Sequence, residues 1–399
     1  MVTARLRVLA SCLAMAFIGT MAFRVAVPAV AFYARSSLKA SALVIGGFMA
    51  AFFASRAVAA FTAGFLYNWV RRRLNHLILA LFTLAGVTSL CYLNANTIVI
   101  IVVRLVQGAL LGFAWTLVQS VLGEYTPRDR RGLVYSIYFD LGLLGAAIAN
   151  MVYAAIPLLE TSLVVSLILF SATGLTALAL PTTTIVSRET GRGGRATSGT
   201  SVKGALLILA SLSFFVLAVR LSTAFTQSDI VYILLSEALG LSRSSTADAI
   251  AIACFIGAAL SILVSYVADK VSDTIAIVLT CLLASLGLIL LASLSPLPSI
   301  LGLALMMIAA RCLTPVSRRV AMNVRGSIGI GAVSAAGNIG VILSCLGAGL
   351  AYDLVRVNPY IVVYAILVAT AIVIASGGLL ALSLRGKSYH KLTTITRSG

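Results

Sequence analysis

The chain has 399 residues, of which 61% are hydrophobic and 10% charged, and its mean hydropathy is +1.09. A soluble globular domain carries roughly 45 to 50% apolar and about 25% charged residues, so this composition excludes a soluble protein. The net charge is +18, but the sequence contains no polar domain that could form a basic surface for nucleic acid. Nucleic acid is therefore excluded as the partner, and the charge is expected to lie around a membrane.

The apolar residues fall into twelve stretches, each long enough to cross a bilayer as a helix of about 20 residues. The predicted fold is therefore an all-α membrane protein with twelve transmembrane helices. The predicted spans are 8–34, 40–67, 74–94, 97–121, 133–157, 160–181, 204–235, 246–268, 274–294, 298–317, 327–352 and 358–384.

A polar, glycine-rich stretch at 187–200 separates the sixth span from the seventh. Its composition is typical of a flexible basic linker. We therefore predict two six-helix halves, at 1–182 and 204–385, joined by a cytoplasmic linker at 183–203 and followed by a cytoplasmic tail at 386–399.

The distribution of Lys and Arg predicts the orientation, because short cytoplasmic loops carry an excess of both. With the N-terminus inside, 20 of these residues lie in cytoplasmic segments and four lie outside. Both termini are thus predicted to be cytoplasmic, with the protein in the cell membrane. The four outside are Arg35, Lys39, Arg243 and Arg356.

The two predicted halves resemble each other. Arg24 in span 1 corresponds to Arg220 in span 7, and Arg131-Gly132 before span 5 corresponds to Arg325-Gly326 before span 11. Similar offsets in the same order suggest a parallel duplication of six helices. In such proteins the substrate site lies near the midplane, between two halves that rock against each other.

Two motifs resemble the major facilitator superfamily. Residues 64–73 after span 2 are similar to the family pattern G-x-L-a-D-r-x-G-r-r, and 104–108 in span 4 are similar to R-x-x-q-G. The resemblance implies the fold with two six-helix halves and a transporter that works by alternating access. Span 5 lacks the proline of the family's antiporter signature, which disfavours a proton-driven drug antiporter.

The loop motif departs from the family pattern at two positions. Asn68 stands where the family has an acidic residue, and Arg71 stands where it has the second glycine. In the family this acid contacts the loop after helix 4 and braces the outward-open state. The resemblance therefore implies a weaker brace here. The residues predicted to form this conformational loop motif are Gly64, Asn68, Arg72, Arg130, Arg131 and, in the second copy, Asp269.

Five arginines lie inside predicted spans, where a charge costs about 2.5 to 3.5 kcal/mol on insertion scales. Arg24, Arg104 and Arg220 each lie about 24 to 26 Å along their helices from the inner end, in one layer near the midplane. Helices 1, 4 and 7 line the central cavity in the family, so we predict a substrate site for an anion at these three arginines. Arg24 and Arg220 also resemble the arginine pair of the organophosphate:phosphate antiporter branch.

Asp140 and Arg311 lie closer to the cytoplasm, at about 10 Å depth in opposite halves. They are predicted to form a gating ion pair, or else Asp140 carries a coupled proton; Arg56 is grouped with them as a gating or coupling residue. Structural alternatives remain open for three arginines. Arg104 can bond backbone, Arg56 can stabilise the bundle and Arg311 can extend to the membrane surface.

The predicted function is secondary transport of a small solute, an organic or phosphorylated anion, coupled to a proton or a counter-anion. The alternatives are an efflux permease for multiple drugs or hydrophobic compounds, and a membrane sensor that does not transport. The six cysteines have no C-x-x-C pair or nearby histidine, and Gly386-Lys387-Ser388 lacks the glycine that a phosphate-binding loop requires. We therefore expect no enzyme activity, no cofactor, no metal and a monomeric protein.

Overall fold

The structure is a computed structural model that describes residues 2–127, 130–180, 202–270, 273–293, 295–355, 369–370 and 372–381. The regular structure in these ranges is entirely helical. The helices are α1 Val2–Ser36, α2 Ala42–Val70, α3 Leu74–Ser89, α4 Thr97–Tyr125, α5 Arg131–Ala155, α6 Leu159–Thr176, α7 Val202–Thr223, α8 Asp229–Ala238, α9 Arg243–Lys270, α10 Asp273–Leu291, α11 Pro296–Val355 and α12 Ile372–Ala381.

Eight helical stretches in the described ranges are long and apolar enough to cross a membrane. Two of them contain a break. The stretch Ala42–Tyr92 has a 3₁₀ turn at Arg71–Arg73 between α2 and α3, and α11 is interrupted at Arg325 and Gly326. We call the two parts of α11 α11a (296–324) and α11b (327–355). The linker at 183–201, the tail at 386–399 and most of the predicted span 358–384 lie outside the described residues, so twelve spans stay a prediction.

Two differences between the predicted spans and the observed helices affect the cavity. Span 7 is interrupted after Thr223 by a 3₁₀ turn at Ala224–Gln227, because the side chains of Thr226 and Ser228 bond nearby carbonyl groups in competition with the helix. Span 10 was predicted to end at 317, whereas α11a continues to 324 and ends where Gly326 adopts a φ of 57°. The predicted boundary at Arg325-Gly326 is therefore correct, but the helix before it is longer.

The cavity described below lies between the N-terminal segment (2–180) and the C-terminal segment (202–381), which pack most extensively through α2 against α11b and α5 against α9. Glycines allow α2 and α11b to approach closely at both ends. A Cβ at Gly349 would lie 2.6 Å from the carbonyl oxygen of Ala42, and one at Gly64 would lie 2.8 Å from that of Ser327. The α2 N-terminus is capped across this interface, where the Asp353 carboxylate accepts from the amides of Ala42 and Leu43 at 3.2 and 2.9 Å.

A second close contact joins α4 to α2 within the N-terminal segment. A Cβ at Gly108 would overlap the carbonyl oxygen of Phe52, and one at Gly112 would lie 2.8 Å from that of Arg56. Both glycines thus set the position of the part of α2 that carries Phe52 and Arg56, which line the cavity.

Gly108→Ala is expected to lower the free energy of unfolding by about 1 to 3 kcal/mol, because the new methyl group forces α4 away from α2. Gly47→Ala is the matched control, since no atom lies within 4 Å of a Cβ at that position in α2. The control should be neutral or slightly stabilising. Thermal unfolding in detergent measures both, and equal stability of the two variants would contradict the close packing.

Candidate functional site

A cavity of about 190 Å³ lies between the two segments and is lined by residues of α1, α2, α4, α5, α7, α11a and α11b and of the 3₁₀ turn after α7. Its most distinctive feature is charge. Five arginines line it, and no aspartate or glutamate is found among its described lining residues. The five are Arg24, Arg56, Arg220, Arg311 and Arg318.

Arg24 and Arg220, the predicted symmetric pair, both line this cavity. The Arg24 side chain is only 5% exposed and donates to the carbonyl oxygen of Gln227, which the end of α7 leaves available to it. Arg220 donates to the hydroxyl of Thr314 at 3.2 Å. Neither forms an ion pair with a described residue within 4.0 Å, so each has a neutral oxygen as its hydrogen-bond partner.

Arg311 and Arg318 lie two helical turns apart on α11a and both reach the cavity. Arg311 donates to the carbonyl oxygen of Phe139 at 2.9 Å, and Arg318 donates to that of Ile330 at 3.3 Å. Arg318 is not among the predicted site residues, because the predicted span ends at 317 and places Arg318 in a cytoplasmic segment. The spacing of seven residues from Arg311 was the signal that both belong to one helix face.

Arg56 contacts aromatic rings instead of oxygen atoms. Its guanidinium carbon lies 5.8 Å from the ring centre of Phe52 and 5.2 Å from that of Phe53. Such cation–π contacts stabilise a desolvated cation by about 2 kcal/mol. Arg56 therefore lies in the cavity with a structural partner, and the predicted gating or coupling role stays a prediction.

Arg104 does not line the cavity, although it was predicted to share a site with Arg24 and Arg220. It is 1% exposed and forms an ion pair at 2.7 Å with Asp229, which is fully buried at the start of α8. The rings of Phe23 and Tyr92 lie 5.4 Å from its guanidinium carbon. The depth along a helix gives the layer of a residue but not the face it occupies, and Arg104 faces an acid of the C-terminal segment.

Asp140 and Arg311 do not form the expected direct ion pair. Asp140 accepts hydrogen bonds from Ser136 at 3.1 Å and from Ser261 of α9 at 2.5 Å, while Arg311 donates to Phe139. The two charges still attract each other at longer range. Both residues therefore connect the two segments without a direct ion pair. Asp140 does so through the hydroxyl of Ser261, and Arg311 does so through the carbonyl of Phe139.

The predicted loop motif is only partly brought together. Gly64 packs on α11b, whereas Asn68, Arg72 and Arg130 are exposed. Arg131 is 9% exposed and donates to the carbonyl of Gly123 at 3.0 Å and to the side chain of Asn323 in α11a at 2.9 Å. The side chain of Asp269 lies outside the described part of the structure.

An ion pair does form near this loop, but its charges are exchanged relative to the family. Arg71 supplies the positive charge from the loop, in which the family has an acidic residue. Arg71 contacts Glu124 near the end of α4 at 2.9 Å, and the Tyr67 hydroxyl donates to the same carboxylate at 2.9 Å. The basic residue therefore comes from the end of α2 and the acid from α4. The sequence contained the signal, since the substitutions at 68 and 71 together remove an acid and add a base.

Comparison with known proteins agrees with this architecture. The profile of the Major Facilitator Superfamily matches residues 11–323. Solved structures with similar folds include the human organic anion transporter MFSD10 (TM-score 0.67, 14% identity, covering 94% of this chain and 99% of that one) and the nucleoside transporter NupG (0.62, 13%, 95% and 100%).

A third similar fold is that of a bacterial homologue of the human lysosomal transporter Spinster, in an inward-facing and unoccupied conformation (TM-score 0.65, 14% identity, 98% of both chains). At these identities the likeness concerns the fold alone. No curated protein matches the sequence of this chain. Because the family profile spans most of its length, the chain belongs to the Major Facilitator Superfamily, and it is a multi-pass membrane transporter of a solute rather than an enzyme.

Proposed function

We propose that this protein transports a small organic or phosphorylated anion, which binds in the cavity to Arg24, Arg220, Arg311 and Arg318. The observation that carries the proposal is the combination of five lining arginines with no lining carboxylate among the described residues. Guanidinium groups suit carboxylates and phosphates, because the planar fork donates two parallel hydrogen bonds to them.

Incomplete hydrogen bonding of the arginines supports the same conclusion. The Nε–H groups of Arg24, Arg311 and Arg318 in the cavity, like that of Arg104 outside it, are buried and have no partner among the described residues. A buried donor without an acceptor costs about 1 to 3 kcal/mol. An anion with several oxygen atoms would satisfy these donors and at the same time reduce the repulsion between the guanidinium groups.

The alternative of a drug exporter has one observation in its favour, since aromatic rings also line the cavity. A cationic drug would nevertheless meet five positive charges without a lining carboxylate, which disfavours its binding. A neutral hydrophobic compound would leave the arginine donors unsatisfied. The anion proposal therefore accounts for more of the lining than either kind of drug does.

Alternating access is supported by contacts between the two segments on both sides of the cavity. At the predicted outer end, Arg35 contacts Glu237 at 2.5 Å. At the predicted inner end, Arg131 contacts Asn323. We propose that the outer contacts break in the outward-open state and the inner ones in the inward-open state. For co-transport of a proton, the proposed coupling residue is Asp140. It accepts a hydrogen bond from Ser261 and lies within electrostatic range of Arg311.

Neutralising Arg24 or Arg220 tests the anion site. Arg24→Gln and Arg220→Gln should each raise the KM for anion uptake about ten-fold or more, since a hydrogen bond to a charged group contributes roughly 1.5 to 3 kcal/mol. Uptake of labelled carboxylates and phosphate esters into proteoliposomes measures the effect. Arg7→Gln is the matched control, because Arg7 is exposed near the start of α1, outside the cavity and outside the loop motif.

The anion proposal fails if no carboxylate or phosphate ester is taken up while a hydrophobic cation is transported by both variants. Loss of uptake in Arg7→Gln to the same extent would also count against it, because general loss of positive charge would then be the cause.

The Arg104–Asp229 pair provides a separate test of whether Arg104 binds substrate. Arg104→Met and Asp229→Asn should each destabilise the protein by about 3 to 5 kcal/mol, because each leaves one buried charge unpaired. The double variant should recover most of this stability and transport with an unchanged KM. A KM that stays raised in the stable double variant would show that Arg104 contacts the substrate.

The native Cys345 reports on opening at the outer end, because it is fully buried where a Cβ at Gly46 would overlap its carbonyl oxygen. In a Cys91→Ser background, which removes the exposed thiol, Arg35→Gln should increase maleimide labelling of Cys345 several-fold. Asn323→Ala, which removes an inner contact, should decrease it. Changes in the same direction for both variants would contradict alternating access through these contacts.

A further inference from the structure

The two segments contribute different chemistry to the cavity. All of the aromatic side chains in its described lining belong to the N-terminal segment, and they are Phe23, Phe52, Phe53, Trp115, Tyr138 and Phe139. The C-terminal segment contributes three of the five arginines, together with the hydroxyl and amide groups of Thr314, Ser317, Ser334 and Asn338. The N-terminal side of the lining therefore carries all of its aromatic rings together with Arg24 and Arg56, and we call it the aromatic wall; the C-terminal side carries the other three arginines, and we call it the cationic wall.

Four of these aromatic side chains, Phe23, Phe53, Trp115 and Phe139, are only partly buried, so part of their surface is available to the cavity. Contacts with neighbouring aromatic rings hold these side chains in position. Phe23 stacks on Phe52 with ring centres 4.7 Å apart, and Phe139 makes an edge contact with Tyr138 at 5.0 Å.

Trp115 is held in the same way. It meets the ring of Tyr138 edge-on at 6.4 Å and lies so close to Gly19 that a Cβ there would be 2.8 Å from the indole. Guanidinium groups already lie over two of these rings, that of Arg56 over Phe53 and that of Arg104 over Phe23. Trp115 and Phe139 remain as a preorganised surface against which a flat ring can pack without first ordering the side chains.

The cationic wall offers more than one guanidinium group to an anion. Arg311 and Arg318 are seven residues apart on α11a, so their Cα atoms are separated by about 10 Å and they present separate donors to the cavity. Arg220 lies within electrostatic range of both. The buried amide nitrogen of Asn338 also lacks a partner among the described residues and provides a further donor on this wall.

The volume limits the size of the ligand. An apolar cavity of about 150 Å³ holds one benzene molecule, so a cavity of about 190 Å³ holds a single ring with small substituents. A fused polycyclic drug or a nucleotide would exceed this space in the present conformation.

From these features we infer that the transported anion is a small planar aromatic compound with two acidic groups. Its ring packs against Trp115 and Phe139 of the aromatic wall, and its acidic groups bind Arg220, Arg311 and Arg318. The inference rests on the proposed anion transport and narrows the substrate class of the same site.

The test compares benzene-1,3-dicarboxylate with cis-cyclohexane-1,3-dicarboxylate, which has the same charge and connectivity but no flat ring. Binding to the purified full-length chain in detergent is measured by isothermal titration calorimetry. The aromatic compound should bind about ten-fold more tightly, since each aromatic contact contributes about 0.5 to 1.5 kcal/mol beyond area burial. Benzoate, with one acidic group, should bind more weakly than the dicarboxylate.

Trp115→Leu should reduce the ten-fold preference to about two- or three-fold, because leucine keeps an apolar surface but cannot stack. Phe170→Leu is the control, since Phe170 is a buried aromatic residue outside the cavity lining, and it should leave the preference unchanged. Phenyl phosphate, whose single acidic group carries two charges, should bind more weakly than benzene-1,3-dicarboxylate; equally tight binding would overturn the assignment of two acidic groups.

The outcomes separate this inference from the proposed function. Equal binding of the aromatic and saturated dicarboxylates, or binding of succinate in preference to both, overturns the aromatic assignment while anion binding stands. If none of these anions binds and no carboxylate or phosphate ester is taken up in the transport assay, the anion site itself is refuted. A preference that persists in Trp115→Leu and is lost in Phe170→Leu would also contradict the stacking surface.

Discussion

A guanidinium group inside a helical membrane protein needs an acceptor, because burial removes the water that would otherwise solvate its charge. Among the described residues, six arginines lie in the cavity or in the buried pair with Asp229, and their partners organise the centre of the protein. Arg104 has a carboxylate, Asp229, which also connects the two segments. The other five have carbonyl groups, a hydroxyl or aromatic rings as partners.

These partners depend on the details of helix packing. Gln227 can accept from Arg24 because α7 ends at Thr223 and the 3₁₀ turn frees its carbonyl group. Arg56 reaches its position because Gly108 and Gly112 let α4 contact the backbone of α2. Small residues at helix contacts therefore do more than fill space, since they determine which oxygen atoms and rings lie within reach of each buried charge.

The division of the arginines between the segments links binding to movement. Arg24 and Arg56 belong to the N-terminal segment, and Arg220, Arg311 and Arg318 belong to the C-terminal segment. Without a ligand, the two groups of charges repel each other across the cavity. An anion bound between them would replace this repulsion by attraction and favour closure around it. In the proposed mechanism, this difference is the source of the coupling between substrate binding and the change of state.

Several features were predictable from local patterns. Residue counts along each apolar stretch placed Arg24 and Arg220 in one layer, and both line the cavity. The Arg325-Gly326 pair marked a helix boundary, and the glycine has the positive φ that ends α11a. The same counts did not place Arg318 in the cavity. A basic residue at the end of an apolar stretch gives the same sequence pattern whether the helix ends there or continues beside a cavity.

The sequence by itself determined the class of the protein, since a low charge content and apolar stretches of membrane-spanning length permit little else. Its motifs also indicated the superfamily. Only the tertiary structure decided how the buried charges are used. Arg104 and Arg24 share a depth, yet one faces Asp229 and the other the cavity, and Asp140 bonds Ser261 although Arg311 is nearby. The sequence gives the position of a residue along a helix, whereas the acceptor it meets depends on helix rotation and on neighbours distant in the chain.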